Sequence, residues 1–416
     1  MLAITGSRRK AAIAFILVTA ALDVVAMGIV IPVLPPLIEE FAGSQARAGW
    51  INGLFVALWA GMQFFFSPVM GSLSDQHGRR PVILLSTAGL AADYVLMAVA
   101  PDLWWLALGR IVAGITSSSF TTVFAYMADI TPPENRARAY GLIGAAFSAG
   151  FVAGPLIGGF LGEVSPRAPF WFAAAISGLA FLYGLFVLPE SLMPEKRMAF
   201  SWRRANPLGA LALLRSHAEL AGLAAVTFLL HFAHHVFSAV FVLYAGYRYG
   251  WTPWQVGTLL AVVGVLDMIV QGVVVGPLVR RFGDRAVMVA GLFGGASGIA
   301  LMGLAPTGFV FLLAMFPNAL WGLAMPTLQS LMTRRVSESE QGQLQGANMS
   351  VASIAGIVSP LFFGAVYSWS VAPGMPVARS GVSFLIAALV LLAAALIGWV
   401  VARRAGREER AADTAA

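Results

Sequence analysis

Three ionisable residues, Asp23, Asp93 and Arg110, stand inside long apolar runs of the sequence. An ionisable side chain at the centre of a membrane helix costs about 2.5–3.5 kcal/mol on insertion scales, so such residues are functional candidates. At a helical rise of about 1.5 Å per residue, all three lie at a similar depth below the outer surface. We expect Arg110 to pair with Asp93 or Asp23 while one carboxylate exchanges a proton. An ion pair that merely joins helices is the alternative.

A second group of titratable residues lies in the C-terminal half, at Asp267 and in the segment "HFAHHVF". Histidine changes charge near neutral pH and therefore suits proton traffic. His231 and His235 have the i, i+4 spacing of a metal site, but the sequence offers no third ligand, so we predict no bound metal and no cofactor. A hydrogen-bonded packing role is the alternative for each histidine. We predict Asp267, His234 and His235 as proton-coupling residues.

The elements that hold these residues must be membrane helices. Hydrophobic residues make up 59% of the 416-residue chain and charged residues 11%, whereas soluble domains carry about 25% charged residues. Apolar runs of about 20 residues recur, the length that crosses a hydrocarbon core, and the alternating pattern of a barrel is absent. The predicted spans lie near residues 11–37, 47–70, 81–100, 102–124, 137–161, 168–189, 219–246, 253–279, 286–304, 308–332, 343–368 and 381–402.

The distribution of the basic residues that give the net charge of +7 indicates the membrane topology. Most of the 26 Lys and Arg residues fall in the termini and in alternate loops, as at Arg280 and Arg281. Basic residues concentrate in cytoplasmic loops of membrane proteins, so this asymmetry places both termini in the cytoplasm. Membrane topology therefore explains the basic charge. Together with the apolar composition, it predicts contact with lipid and no nucleic-acid partner.

The chain contains an internal repeat. The segments "GSLSDQHGRRPV" at 71–82 and "GPLVRRFGDRAV" at 276–287 share glycine, leucine, arginine and valine positions at an offset of 205 residues. Each lies between the second and third spans of a six-span half. We predict a six-helix bundle at 1–189, a cytoplasmic linker at 190–218 and a second bundle at 219–416, with the substrate site near the midplane where the halves meet.

The segment 71–82 resembles the signature loop of the major facilitator superfamily, G-x-L-[SA]-D-x-x-G-R-[RK]-P-[VIL], at every fixed position. Gly71 and Gly78 permit a tight turn and close helix approach. The resemblance implies the major facilitator fold and a loop that locks the cytoplasmic side. A solvated turn that only sets topology is the alternative. The predicted gating residues are Asp75, Arg79, Arg80 and Asp129.

The segment "GFVAGPLIGG" in span five matches the antiporter pattern of the same superfamily. Its small residues allow a neighbouring backbone to come close, and its proline allows a bend. The resemblance implies exchange of substrate for protons rather than symport, and ordinary close packing is the alternative for each glycine taken singly. The motif residues are Gly150, Gly154, Pro155, Gly158 and Gly159.

The segments "ALDVVAMGIVIPVLPPLIEEF", "AADYVLMAVAP", "LGRIVAGIT" and "MPTLQSLMTRRVSESEQGQLQG" resemble the tetracycline/proton antiporter group over residues 20–370. The resemblance implies that Asp23, Asp93 and Arg110 are the membrane-embedded charges of that group. It also shows departures: Asp267 stands where the group has a histidine, span nine has no acid, and the histidine cluster of span seven lies outside the pattern. The proton relay of the C-terminal half is therefore expected to differ.

Buried amides need partners, and aromatic surfaces suit amphipathic molecules. The predicted substrate-binding residues are Phe120, Gln271, Asn318, Trp321, Gln329 and Asn348. We expect a monomeric, multi-pass protein of the bacterial inner membrane that exports an amphipathic drug such as tetracycline by alternating access in exchange for protons. The alternatives are a proton symporter or an exporter of a native sugar or metabolite. A membrane enzyme or a sensor has no supporting motif.

Overall fold

The computed structural model describes residues 6–116, 120–132, 135–200, 211, 213–214, 218–337 and 340–415, and all regular structure in this part is helical. The α-helices are α1 Gly6–Val30, α2 Leu34–Ala42, α3 Gln45–His77, α4 Arg79–Val99, α5 Leu103–Thr116, α6 Phe120–Ile130, α7 Arg136–Val164, α8 Ala168–Val187, α9 Ala218–Val236, α10 Val242–Tyr249, α11 Pro253–Ile269, α12 Val275–Leu304, α13 Gly308–Ala319, α14 Ala324–Thr333, α15 Gln341–Ser370 and α16 Val382–Ala415.

Ten helical segments of the described chain are long and apolar enough to cross a membrane. One of them, Pro253–Leu304, is 52 residues long and contains two predicted spans. The fourth predicted span corresponds to the shorter α5 together with α6, with residues 117–119 outside the described ranges. The prediction of an all-α membrane protein is confirmed.

The chain divides into two compact units. Unit 1 contains 1–42, 58–206 and 251–264, and unit 2 contains 43–57, 207–250 and 265–416. Within unit 1, α1 packs along α7 and α4 packs along α8. Within unit 2, α12 packs along α16, and α9 packs against α15 and α16. The division into two six-helix bundles joined at 190–218 stays a prediction, and residues 201–210, 212 and 215–217 of that linker lie outside the described ranges.

Three irregular segments interrupt the helices of unit 2. Phe237–Phe241 and Val270–Val274 are π-helical, and Leu320–Leu323 is a 3-10 helix. Such interruptions release backbone groups from the regular ladder and often mark functional sites. The buried side-chain amide of Asn52 donates to the carbonyl of Ala239 at 2.7 Å, which supplies one of these carbonyls with a partner.

The signature loop is almost entirely helical. α3 continues to His77, and only Gly78, with φ 105° and ψ 163°, separates it from α4. This backbone conformation is open essentially to glycine alone, so one residue is enough to break the helix. The expected turn at Gly71 is wrong: Gly71 lies inside α3, and a Cβ there would meet nothing within 4 Å.

Candidate functional site

The buried charges of unit 1 form an ion pair between α4 and α5. Arg110 Nη2 lies 3.4 Å from Asp93 Oδ2, and the Asp93 side chain is completely buried. Gly109 allows this approach, because a Cβ at that position would stand 2.6 Å from Asp93 Oδ1. The structure therefore selects Asp93 as the partner of Arg110 from the two expected carboxylates.

Several buried polar atoms at and near this ion pair form no hydrogen bond with the described residues. The buried Asp23 of α1 has an Oδ1 atom with no hydrogen-bond partner among the described residues, and the same holds for Asp93 Oδ1 and Arg110 Nε. Arg110 Nη2 also approaches Met97 Sδ at 2.9 Å, and a thioether sulfur is only a weak acceptor. Buried polar atoms without partners are uncommon in folded proteins, and each calls for an explanation such as a proton or an additional ligand.

Tyr94 is a member of this site that sequence reasoning missed. It is 3% exposed and directly follows Asp93 in α4. A buried hydroxyl group therefore follows the buried acid on the same helix. The available signal was a tyrosine directly after an acid inside an apolar run.

The predicted gating residues meet around Arg79. Its Nη1 atom donates to Asp75 Oδ1 at 2.6 Å and to Ser74 Oγ at 2.9 Å, and its Nε atom donates to Asp129 Oδ2 at 3.3 Å. Arg79 therefore links the end of α3 to the end of α6. Arg80 points elsewhere and donates to the carbonyl of Leu185 in α8 at 2.7 Å.

Glu190 completes this cluster and was not predicted. Its carboxylate accepts from the backbone N–H groups of Arg79 at 2.8 Å and Arg80 at 3.2 Å, the first residues of α4. It also accepts from the N–H groups of Ser191 and Leu192 at 2.9 and 3.0 Å. An anion at a helix N-terminus satisfies unpaired donors and complements the helix dipole. The signal was an acid directly after Pro189, where span six ends.

The antiporter motif residues of α7 form a close contact face. Cβ atoms at Gly150 and Gly154 would stand 2.8 and 2.7 Å from backbone oxygens of α1, and one at Gly158 would overlap the backbone of Ile29. The next helix along the motif is α11, whose Gly257 lies against the backbone of Pro155, while Gly159 faces Pro253. Close packing is thus the observed role of these residues, and their link to antiport stays a prediction.

In unit 2 the candidates gather around the 3-10 segment Leu320–Leu323. The ring of His234 lies edge-on to Trp321, with ring centroids 5.5 Å apart. On the neighbouring residue, a Cβ at Gly322 would stand 3.5 Å from Asp267 Oδ1. His234, Trp321 and Asp267 are therefore brought to one region. His235 instead lies 3.3 Å from the hydroxyl of Ser238 through Nδ1.

The other predicted substrate-binding residues are more dispersed. Gln271 is exposed within the π-helical segment Val270–Val274, and Gln329 is half-buried in α14. Asn318 and Asn348 are half-buried, and the Oδ1 atom of each lacks a hydrogen-bond partner among the described residues. Phe120 is the first residue of α6, and its side chain lies outside the described part of the structure.

Comparisons with known proteins agree with this fold. The family model described as Major Facilitator Superfamily matches residues 16–360 and 223–415. The tetracycline resistance protein of class C from Escherichia coli is 41% identical over 86% of this chain and 90% of its own length. The class G protein from Vibrio anguillarum is 38% identical over 87% of this chain and 91% of its own length.

Solved structures of other transporters share this fold at low sequence identity. The nucleoside transporter NupG superimposes with a TM-score of 0.76 at 14% identity, over 94% of this chain and 98% of that one. The human organic anion transporter MFSD10 gives a TM-score of 0.68 at 23% identity, over 94% of this chain and 99% of that one. These likenesses concern the fold alone.

Proposed function

Because this chain belongs to the Major Facilitator Superfamily, we propose that it exports an amphipathic drug of the tetracycline type in exchange for protons. The superfamily consists of transporters rather than enzymes, so a small-molecule substrate follows from membership. Bacterial relatives at 37–41% identity are named tetracycline resistance proteins, which supports a multi-pass location in the bacterial inner membrane.

The observation that carries the proposal is the buried charge cluster of unit 1. Asp93 is held by Arg110, while Asp23 has no ion-pair partner among the described residues. A buried carboxylate without a counter-charge is costly when ionised. We therefore assign the transported proton to Asp23 rather than to Asp93, whose charge Arg110 balances.

In this proposal the drug binds to residues of unit 2. The buried Trp321, the exposed His234 that packs against it and the nearby Asp267 place an aromatic wall, a titratable ring and an acid within one region. Flat amphipathic molecules stack on aromatic faces and place polar groups on the surrounding donors and acceptors. Asp267 stands where the tetracycline group has a histidine, which favours a second candidate: export of a native metabolite by the same mechanism.

The test uses everted vesicles with an acidic interior and a pH-sensitive dye. Addition of tetracycline is expected to release protons from vesicles that contain the native protein, with no release from empty vesicles or from the Asp23→Asn variant. Sugars serve as negative controls. If tetracyclines give no signal from folded native protein while another metabolite does, the second candidate replaces the first. A gain of interior protons on drug addition contradicts antiport.

A further inference from the structure

The two copies of the internal repeat share their backbone break. Gly78 has φ 105° and ψ 163°, and Gly283, 205 residues later, has φ 78° and ψ 158°. Both conformations belong to the region that is open essentially to glycine. In each copy a new helical stretch starts at the next residue, which is Arg79 in unit 1 and Asp284 in unit 2.

Several charges of the repeat are inverted between the copies, although Arg80 corresponds to Arg285 and keeps its sign. At the constant offset of 205 residues, three functional positions of unit 1 correspond to residues of opposite sign in unit 2. Asp75 corresponds to Arg280, Arg79 to Asp284, and Asp129 to Arg334. Inversion at three of the four predicted gating positions keeps opposite charges opposite while it reverses which partner carries which charge.

The structure shows an ion pair at the corresponding place in unit 2. Arg334 Nη2 lies 2.6 Å from Asp284 Oδ2, and the same oxygen accepts from Ser330 Oγ at 3.2 Å. This pair joins the kink in α12 to the residue that follows α14. In unit 1, Arg79 and Asp129 join the start of α4 to the end of α6, so the two contacts connect corresponding elements.

The two side chains of the Asp284–Arg334 pair are buried to very different extents. The side chain of Asp284 is 7% exposed, whereas that of Arg334 is 67% exposed. An ion pair with one partner largely in water adds little to stability. The buried acid is also held by Ser330 and by the helix start that follows Gly283. Arg334 can therefore leave the pair without exposing a large apolar surface.

We propose that Asp284 and Arg334 form a second gating pair, which fastens the inner end of unit 2 and opens during the transport cycle. It has the reverse polarity of the Arg79–Asp129 pair. The proposal depends on the chain being a transporter of this superfamily and is independent of which substrate it carries. Asp284 acts as a positioning residue, since it holds Arg334 rather than touching the substrate.

The test measures access from the inner side. The chain contains no cysteine, so a single Gln345→Cys substitution at an exposed position of α15 gives one reporter. Inverted vesicles are treated with a membrane-impermeant maleimide. Asp284→Asn and Arg334→Gln are each expected to raise the labelling rate up to about fivefold, the shift that follows from loss of about 1 kcal/mol, the upper end for a partly exposed ion pair.

The matched control is Glu219→Gln. Glu219 pairs with Arg335 at 2.9 Å, next to the proposed gate, but at the repeat offset these residues correspond to the uncharged Ala14 and Ile130. This variant is expected to label at the native rate. Labelling within twofold of native in both gate variants, or an equal rise in the Glu219→Gln control, overturns the proposal.

A variant in which both charges are reversed distinguishes loss of the ion pair from misfolding. Asp284→Arg combined with Arg334→Asp restores an ion pair of the polarity found in unit 1, and we expect it to bring the labelling rate back part of the way from that of Asp284→Arg alone. Because the assay needs no substrate, its failure is distinguishable from failure of the drug assignment. A double variant that labels as fast as the single one contradicts pairing.

Discussion

In unit 1 the helix that follows the inner glycine begins with a cation, Arg79, and in unit 2 it begins with an anion, Asp284. A helix N-terminus favours negative charge. Unit 2 supplies that charge within the helix itself. Unit 1 brings it from a distant part of the chain, because Glu190 places its carboxylate on the N–H groups of Arg79 and Arg80.

The comparison shows how a duplicated loop can keep its geometry while its electrostatics diverge. The requirement for an acid at the helix start is met in both units, once by Asp284 of the repeat itself and once by Glu190, which follows α8. A consequence follows for unit 1. Since Ser191 also donates to Asp129 at 3.0 Å, the segment that follows α8 is part of the cluster around Arg79.

The largest expected effect comes from reversal of the charge of Arg79. Arg79→Asp places a fourth acid among Asp75, Asp129 and Glu190, and we expect transport to fall at least about tenfold because the pairs become repulsive, at a cost of more than about 1.4 kcal/mol. The combined Arg79→Asp and Asp129→Arg variant should recover only part of this activity, since Glu190 remains. Initial rates of drug export in vesicles check both variants. Full recovery in the double variant would show that Glu190 has no electrostatic part in the cluster.

Alanine substitutions at the two inner glycines, Gly78 and Gly283, should destabilise the two units to different extents. Gly78→Ala and Gly283→Ala each force a side chain into a glycine-only conformation, at a cost of about 1–3 kcal/mol. A Cβ at Gly78 would also overlap the Glu190 carboxylate, whereas one at Gly283 would meet nothing within 4 Å. Gly78→Ala should therefore lower the thermal midpoint in detergent by more than Gly283→Ala. Equal shifts contradict the role assigned to Glu190.

Removal of Glu190 alone should have a smaller effect. Glu190→Ala leaves the first N–H groups of α4 without their acceptor, and loss of such a cap costs about 0.5–2 kcal/mol. Glu190→Gln keeps an acceptor and should lose less than the alanine variant. Thermal unfolding of both variants in the same detergent decides the matter, and a glutamine variant as weak as the alanine variant would show that only the charge matters.

The smallest effect is expected at Gly71. This residue lies inside α3 with open space around it, so Gly71→Ala should stabilise the protein by about 0.5–1 kcal/mol through higher helix propensity. Transport should remain at the native rate. A loss of transport with unchanged stability would restore the close-approach role that the motif suggests for this glycine.

Sequence reasoning reached the buried charges because hydrophobic length fixes depth along a helix. Asp93 and Arg110 were therefore predictable as neighbours, and the choice of Asp93 over Asp23 depended on Gly109, whose missing side chain makes room for the carboxylate. The signature motif supplied Asp75 and Arg79, and Asp129 near the end of the fourth predicted span was predicted as a partner of the basic residues. The structure brings the three side chains together around Arg79.

The remaining contacts depend on helix register and on chain segments far apart in sequence. Glu190 lies 111 residues from Arg79, and no local pattern connects them. The Asp284–Arg334 pair was hidden because the repeat was recognised by identical residues, whereas this pair is related by opposite charges. The π-helical segments leave no periodic signal, since an inserted residue disturbs the helical pattern only locally.

The distinction between coupling in unit 1 and gating at the inner loops can be tested in one preparation of vesicles. Two reactions are compared: uptake driven by a proton gradient, and exchange of labelled for unlabelled drug without a gradient. We predict that Asp23→Asn keeps exchange and loses gradient-driven uptake, because only the proton site is removed, whereas Asp284→Asn slows both reactions. Gradient-driven uptake at the native rate in Asp23→Asn would contradict the assignment of proton coupling to this carboxylate.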